Sequence, residues 1–177
     1  MKKSILVSIA TILMAGFVSQ AHAVLDTILC LKHYDDNNYG KALPYCKKSV
    51  EQGSEYGLNA LGYMYLKGAG VEQDYQKALE LYEKSSEKGN EVAQFNLGIM
   101  YHNGYGVGRD FEKAFELYEK SAKQGLSEAQ YNLGKMYDFG TGVGQDYNKA
   151  FEWYLKSAEQ GLAEAQCDIG VELVWKS

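Results

Sequence analysis

The chain has 177 residues, 18 basic and 23 acidic side chains, a formal net charge of −5 at pH 7 and 46% hydrophobic residues. With Arg109 as its one arginine, it lacks the basic surface by which nucleic acids and anionic membranes are gripped. That leaves a basic or mixed-charge protein as the compatible partner.

The first segment reads as an export signal. Lys2 and Lys3 precede an apolar run from Ile5 to Val18, and the small-residue site Ala21-His22-Ala23 follows. The spacing predicts a signal peptide over residues 1–23 cleaved after Ala23; the alternative is an N-terminal anchor helix, for which the run is short. Thr27-Ile28-Leu29 ahead of Cys30 does not supply the small residue that bacterial lipoprotein processing wants. The mature chain is therefore expected in the periplasm or outside the cell, without a membrane anchor. Removing the two leader lysines takes the net charge from −5 to −7.

Beyond the leader the chain is periodic. Gly62, Gly98, Gly134 and Gly170 stand thirty-six residues apart. Residues 54–89, 90–125 and 126–161 share the pattern A-x-x-x-L-G-x-M-Y-x-x-G-x-G-V-x-x-D-Y/F-x-K-A-L/F-E-L/W-Y-x-K-S-x-x-x-G, with Gly57 in place of the opening Ala of the first block. Each block predicts two helices. Leu58, Leu61, Met64 and Tyr65 form the buried stripe of the first helix in residues 54–89. Gly68-Ala69-Gly70-Val71 breaks it, Asp74 caps a second helix carrying Ala78, Leu79, Leu81 and Tyr82, and Gly89 closes that helix. Glu80–Lys84, Glu116–Lys120 and Glu152–Lys156 are spaced for pairing on solvated faces.

Residues 24–53 form a variant repeat, because Asn38-Tyr39-Gly40-Lys41-Ala42-Leu43 matches Asp74-Tyr75-Gln76-Lys77-Ala78-Leu79. Its inter-helix loop is four residues shorter, and Pro44 falls within its second helix. Residues 162–177 supply one capping helix. The expectation is an all-α fold of four helix pairs and a cap, nine helices in all. A repeat of this length cannot bury its apolar face alone and must stack on neighbours.

The recurrence of L-G-x-M-Y, G-x-G-V-x-x-D and K-A-F/L-E-x-Y in register resembles the Sel-one-like repeat family, relatives of the tetratricopeptide repeats with a longer inter-helix loop. The resemblance covers nearly all of the mature chain; the short loop of the first repeat departs from it. It implies a right-handed α-solenoid whose first helices line a concave groove. Members serve as adaptors, periplasmic binding proteins, secreted virulence factors and immunity proteins against toxic effectors. A cysteine-rich branch is associated with β-lactam or peptidoglycan binding.

Gly68-x-Gly70, Gly104-x-Gly106 and Gly140-x-Gly142 invite comparison with phosphate loops, but no strand precedes them and no lysine stands at the needed spacing, so they read as turns. Two histidines beyond the leader, His33 and His102, with three scattered cysteines do not make a metal site. No catalytic residue and no cofactor is expected. Cys30 occupies the slot of Gly62, Gly98 and Gly134, and Cys46 that of Tyr82, Tyr118 and Tyr154. In standard repeats that tyrosine can cover the glycine. An exported chain meets an oxidising compartment, so Cys30 and Cys46 are expected to bridge, the alternative being two buried thiols. Cys167 is left without a mate. A cysteine-rich member would bridge every repeat, so β-lactam binding carries over poorly.

Helical geometry with the family register places Tyr56, Asn59, Tyr63, Leu66 and Lys67 on the inner face of the second repeat. Val92, Phe95, Ile99, His102 and Asn103 follow in the third, and Glu128, Tyr131, Lys135, Asp138 and Phe139 in the fourth. The last helix adds Glu164, Cys167, Val171, Val174 and Trp175. These positions vary between repeats while the packing positions stay fixed, which separates recognition from scaffold. The expected partner-binding set is Tyr56, Tyr63, Phe95, Ile99, His102, Tyr131, Lys135, Phe139 and Trp175. The expected function is binding a partner protein in the groove, as an inhibitor or immunity protein. The alternatives are a β-lactam or peptidoglycan-binding enzyme and a secreted factor acting on a host protein.

Overall fold

The computed structural model describes residues 2–175, with side chains from 19 to 169. Among the described residues there are nine helices and no strand. They are α1 (Lys2–Asp35), α2 (Tyr39–Glu51), α3 (Glu55–Lys67), α4 (Tyr75–Glu87), α5 (Glu91–Asn103), α6 (Phe111–Lys123), α7 (Ser127–Phe139), α8 (Tyr147–Glu159) and α9 (Ala163–Trp175). This is the expected all-helical repeat fold. α1 runs without a break through the expected cleavage site.

Local chemistry sets the boundaries. The side chains of Asp74, Asp110 and Asp146 accept from the backbone N–H groups of Lys77, Lys113 and Lys149 and cap α4, α6 and α8. Ser54 and Asn90 cap α3 and α5 in the same way. The first helices end at Gly68, Gly104 and Gly140, each with left-handed backbone. The expected pairs Glu80–Lys84, Glu116–Lys120 and Glu152–Lys156 are not the ones formed among the described residues. Glu116 instead meets Lys113 at 3.6 Å, Glu119 meets Lys123 at 2.9 Å, and the Lys156 ammonium lies 4.0 Å from the Trp153 ring centroid. Exposed pairs are weak enough for such local alternatives to win.

The chain divides into two compact units, Met1–Gln73 and Asp74–Ser177. In the first, α1 and α2 form a hairpin with α3 packed on both. Cys30 of α1 and Cys46 of α2 are bridged, with Cα atoms 4.7 Å apart and both side chains fully buried. His33 stacks on Tyr45, consistent with a packing role.

The second unit is built from the α5–α6 and α7–α8 hairpins, flanked by α4 and α9. Its core holds Ala114, Tyr118, Ala122, Leu133, Met136 and Tyr154. Tyr118 covers Gly98, and Tyr154 covers Gly134. Gly106 serves a second purpose besides turning the chain. Its φ is +68°, and a Cβ there would stand 2.7 Å from that of Tyr75, so the loop of one repeat seats on the start of the preceding second helix. Polar ties repeat as regularly. Buried Ser121 donates to the Glu91 carbonyl and Ser157 to the Ser127 carbonyl, both at 2.8 Å. The Gln124 amide donates to the Gly89 carbonyl and to Gln94 Oε1. Gln160 repeats this on Gly125 and Gln130.

Candidate functional site

In the second unit, the variable residues of α5 and α7 gather around a cavity of about 490 Å³, within the range of small-ligand and side-chain pockets. Ile99, His102 and Asn103 come from α5, Phe111 and Tyr118 from α6, and Asn132, Lys135, Met136 and Phe139 from α7, with Thr141 at the rim. Of the expected binding residues, Ile99, His102, Lys135 and Phe139 thus share one cavity. Phe95 stands one turn earlier on α5, tilted against the Tyr118 ring at 5.6 Å. Tyr131 adjoins from α7, with the Lys135 ammonium 5.5 Å from its ring centroid.

His102 has its ring edge-on to Phe111 at 5.1 Å, and its Nδ1 is buried without a hydrogen-bond partner among the described residues. Burial pushes its pKa below the usual imidazole value, and the nearby charges of Lys135 and Arg109 push it further. The Arg109 guanidinium lies 5.8 Å from the Phe111 ring centroid. Burial likewise raises the phenol pKa of Tyr118.

The neighbouring surface has the opposite sign. Tyr131 donates to Asp168 at 3.0 Å and Tyr154 to Asp138 at 3.4 Å. Burial, the Asp168 hydrogen bond and the charges of Asp168 and Glu164 push the Tyr131 phenol up to about 12. Phe139, 69% exposed, is the last residue of α7 and lines the cavity.

The other expected residues fall elsewhere. Tyr56 is exposed on the first turn of α3, and Tyr63 packs edge-on against Tyr34 at 5.4 Å; both belong to the first unit. Leu66, expected on the inner face, is buried in its core. The side chain of Trp175 lies outside the described residues. Cys167 is an exposed free thiol. Phe111, Asn132, Met136 and Thr141 line the cavity without having been singled out by sequence. An aromatic follows the capping Asp in every block (Tyr75, Phe111, Tyr147), but only in three dimensions does the Phe111 ring meet α5. Among the described residues, no group of three or more His, Cys, Asp or Glu is placed to hold a metal ion, and no helix is long and apolar enough to cross a membrane.

Comparison with solved structures finds close architectural likenesses. A Sel1 repeat protein from Oxalobacter formigenes is 32% identical over 82% of this chain, with a TM-score of 0.75. A protective antigen of uropathogenic Escherichia coli displaying an SLR fold is 27% identical over 86% of this chain, with a TM-score of 0.56. The chain spans 60% and 41% of the lengths of these two proteins. Helicobacter pylori cysteine rich protein B is 25% identical, with a TM-score of 0.58, and 77% of this chain aligns with 96% of that one. Comparison with curated proteins gives no match. The Sel1 repeat model matches residues 56–90, 92–126 and 127–162, more than half of the chain, and the likenesses in fold agree with it: the chain belongs to the Sel1 repeat family.

Proposed function

We propose that this protein is an exported binding module that holds a partner protein on the α5–α7 face of its second unit, as an inhibitor or immunity protein. Sel1 repeats typically bind protein partners and are generally non-enzymatic scaffolds. The observation that carries the reading is the clustering of repeat-variable side chains, Ile99, His102, Lys135 and Phe139, around one cavity on an otherwise constant scaffold. Phe95 and Tyr131 extend the face, Tyr56, Tyr63 and Trp175 are further candidate contacts, and the carboxylates around Tyr131 suit a basic partner surface. Export is supported by the leader pattern and by the Cys30–Cys46 bridge, which fits an oxidising compartment.

The test is capture of the partner from the envelope fraction, followed by measurement of its affinity for Phe95→Ala and Tyr131→Ala proteins whose circular dichroism is unchanged. Loss of about thirtyfold in affinity per central aromatic supports the reading; wild-type affinity in both sinks it. An inhibitor must also abolish the partner's activity in stoichiometric mixtures. The likeness to a protective antigen favours a second reading, a secreted factor acting on a host protein. It requires the mature chain in culture supernatant and fails if the chain is retained in the envelope.

A further inference from the structure

The cavity between α5, α6 and α7 has a polarity opposite to that of the chain. The protein is acidic, yet among the described residues no carboxylate lines this cavity. Its polar groups are the Lys135 ammonium, the His102 imidazole, the hydroxyls of Tyr118 and Thr141, and the amides of Asn103 and Asn132. Arg109 adds a second cation near enough to act on His102. Buried ring nitrogens are normally hydrogen-bonded, yet Nδ1 of His102, a residue of the cavity wall, is buried without a partner among the described residues. The remaining walls are apolar: Ile99, Phe111, Met136 and Phe139. No other pair of neighbouring repeats combines these residues, since the slots of Ile99, His102 and Arg109 hold Tyr63, Leu66 and Gln73 in one block and Lys135, Asp138 and Gln145 in the next.

We infer that this cavity takes the C-terminal residue of the partner chain, with the free carboxylate beside Lys135 and His102 and an apolar side chain against Ile99, Phe111 and Met136. The inference rests on the α5–α7 face being the docking surface. A C-terminal residue joins a carboxylate and a large apolar side chain on one Cα, which matches a cavity with one cationic corner and apolar walls. An aspartate or glutamate side chain would satisfy the cation and leave the walls unmatched. Next to the cavity, Asp138, Glu164 and Asp168 gather around Tyr131 and Tyr154. They repel an acidic segment and tolerate a neutral or basic one that carries a single terminal carboxylate.

The test uses the intact disulfide-bonded protein and three small probes, followed through the NMR signals of the His102 ring and the Ile99 methyl groups. N-acetyl-leucine should bind saturably. N-acetyl-leucinamide, which lacks the carboxylate, and N-acetylglutamic acid 1-amide, which carries it on a side chain, should each bind at least tenfold more weakly. Lys135→Gln, a change at an exposed position, should weaken N-acetyl-leucine at least fivefold with an unchanged circular dichroism spectrum. Equal binding of the leucinamide would reduce the site to an apolar cavity. Equal binding of the glutamate amide would make an acidic side chain the occupant. No saturable binding, or no effect of Lys135→Gln, would also overturn the inference. If N-acetyl-leucine binds but does not displace the captured partner, the pocket stands and the docking surface fails. If the partner depends on Phe95 and Tyr131 while no probe binds, the reverse holds.

Discussion

The ring of Tyr118 lies so close over Gly98 that a Cβ built on the glycine would stand 2.7 Å from ring carbon Cε1. Tyr154 meets Gly134 at the same distance through Cδ1. The repeat is therefore closed by a tyrosine on bare backbone, and the buried Tyr118 cannot swing aside without opening the core.

Gly98→Ala should accordingly destabilise the protein by about 1–3 kcal/mol through overpacking. Gly108→Ala is the control, since Gly108 has nothing within 4 Å of a built Cβ and no positive φ; it should be neutral or slightly stabilising. Thermal unfolding of the two variants side by side checks this. Equal midpoints would show that the Gly98 contact is loose.

Removing the bridge with the double change Cys30→Ala, Cys46→Ala should loosen the α1–α2 hairpin. The bridged residues are 16 apart, for which the chain-entropy model gives about 3 kcal/mol. Hydrogen exchange should accelerate in α1 beyond the leader and in α2. Unchanged protection there would mean that apolar packing alone holds the hairpin.

Acid should weaken the fold in two stages. The folded-state pKa of His102 is depressed, so the unfolded chain binds its proton more readily. Its contribution is complete above the ordinary imidazole value of about 6.5 and is lost as the pH falls below it. Tyr118, Lys135 and Arg109 are the titratable groups facing this ring from α6, α7 and the loop. The caps Asp74 and Asp146 are depressed chiefly by the backbone N–H groups of Lys77 and Lys149, so their contribution is lost further down, as the carboxylates protonate. Denaturant midpoints between pH 7 and 5 should fall for the wild type and fall less for His102→Gln. Parallel curves would remove His102 from the account.

Phe139→Ala separates recognition from stability. Because the ring is 69% exposed, the melting temperature should be unchanged while partner affinity drops tenfold or more. Wild-type affinity would move the interface away from the end of α7.

The period, the helix pairs, the Asp caps and the glycine stops were legible because each is a local rule written three times over. The Cys30–Cys46 pairing was legible for a related reason: repetition shows which positions must touch, and the first repeat changes both partners of one contact. Three-dimensional detail was less so. Ser121 and Ser157 are invariant between blocks, yet nothing in a lone K-S dipeptide says that the hydroxyl is fully buried and bonded to a carbonyl thirty residues earlier. Leu66 looked like a surface residue of the inner face because helical phase cannot separate its rim from the core beneath. The cavity depends on Phe111, which lies outside the first-helix register on which the candidate residues were chosen. Spacing alone does not fix the solvent-side ion pairs, because several partners of nearly equal energy stand within reach.

The glutamine clamps have a consequence for lineage rather than for binding. Gln124 reaches back to the Gly89 carbonyl at the end of the preceding block, and Gln160 does the same to Gly125. The blocks 90–125 and 126–161 thus each carry both the hook and the eye of a junction, whereas the block 54–89 has Lys88 in the hook's place and supplies only the eye. A gene segment encoding either of these two blocks could be duplicated in frame and the new seam would arrive already matched. The length of the binding face can then change by recombination in a single event, while its specificity changes separately, one variable side chain at a time.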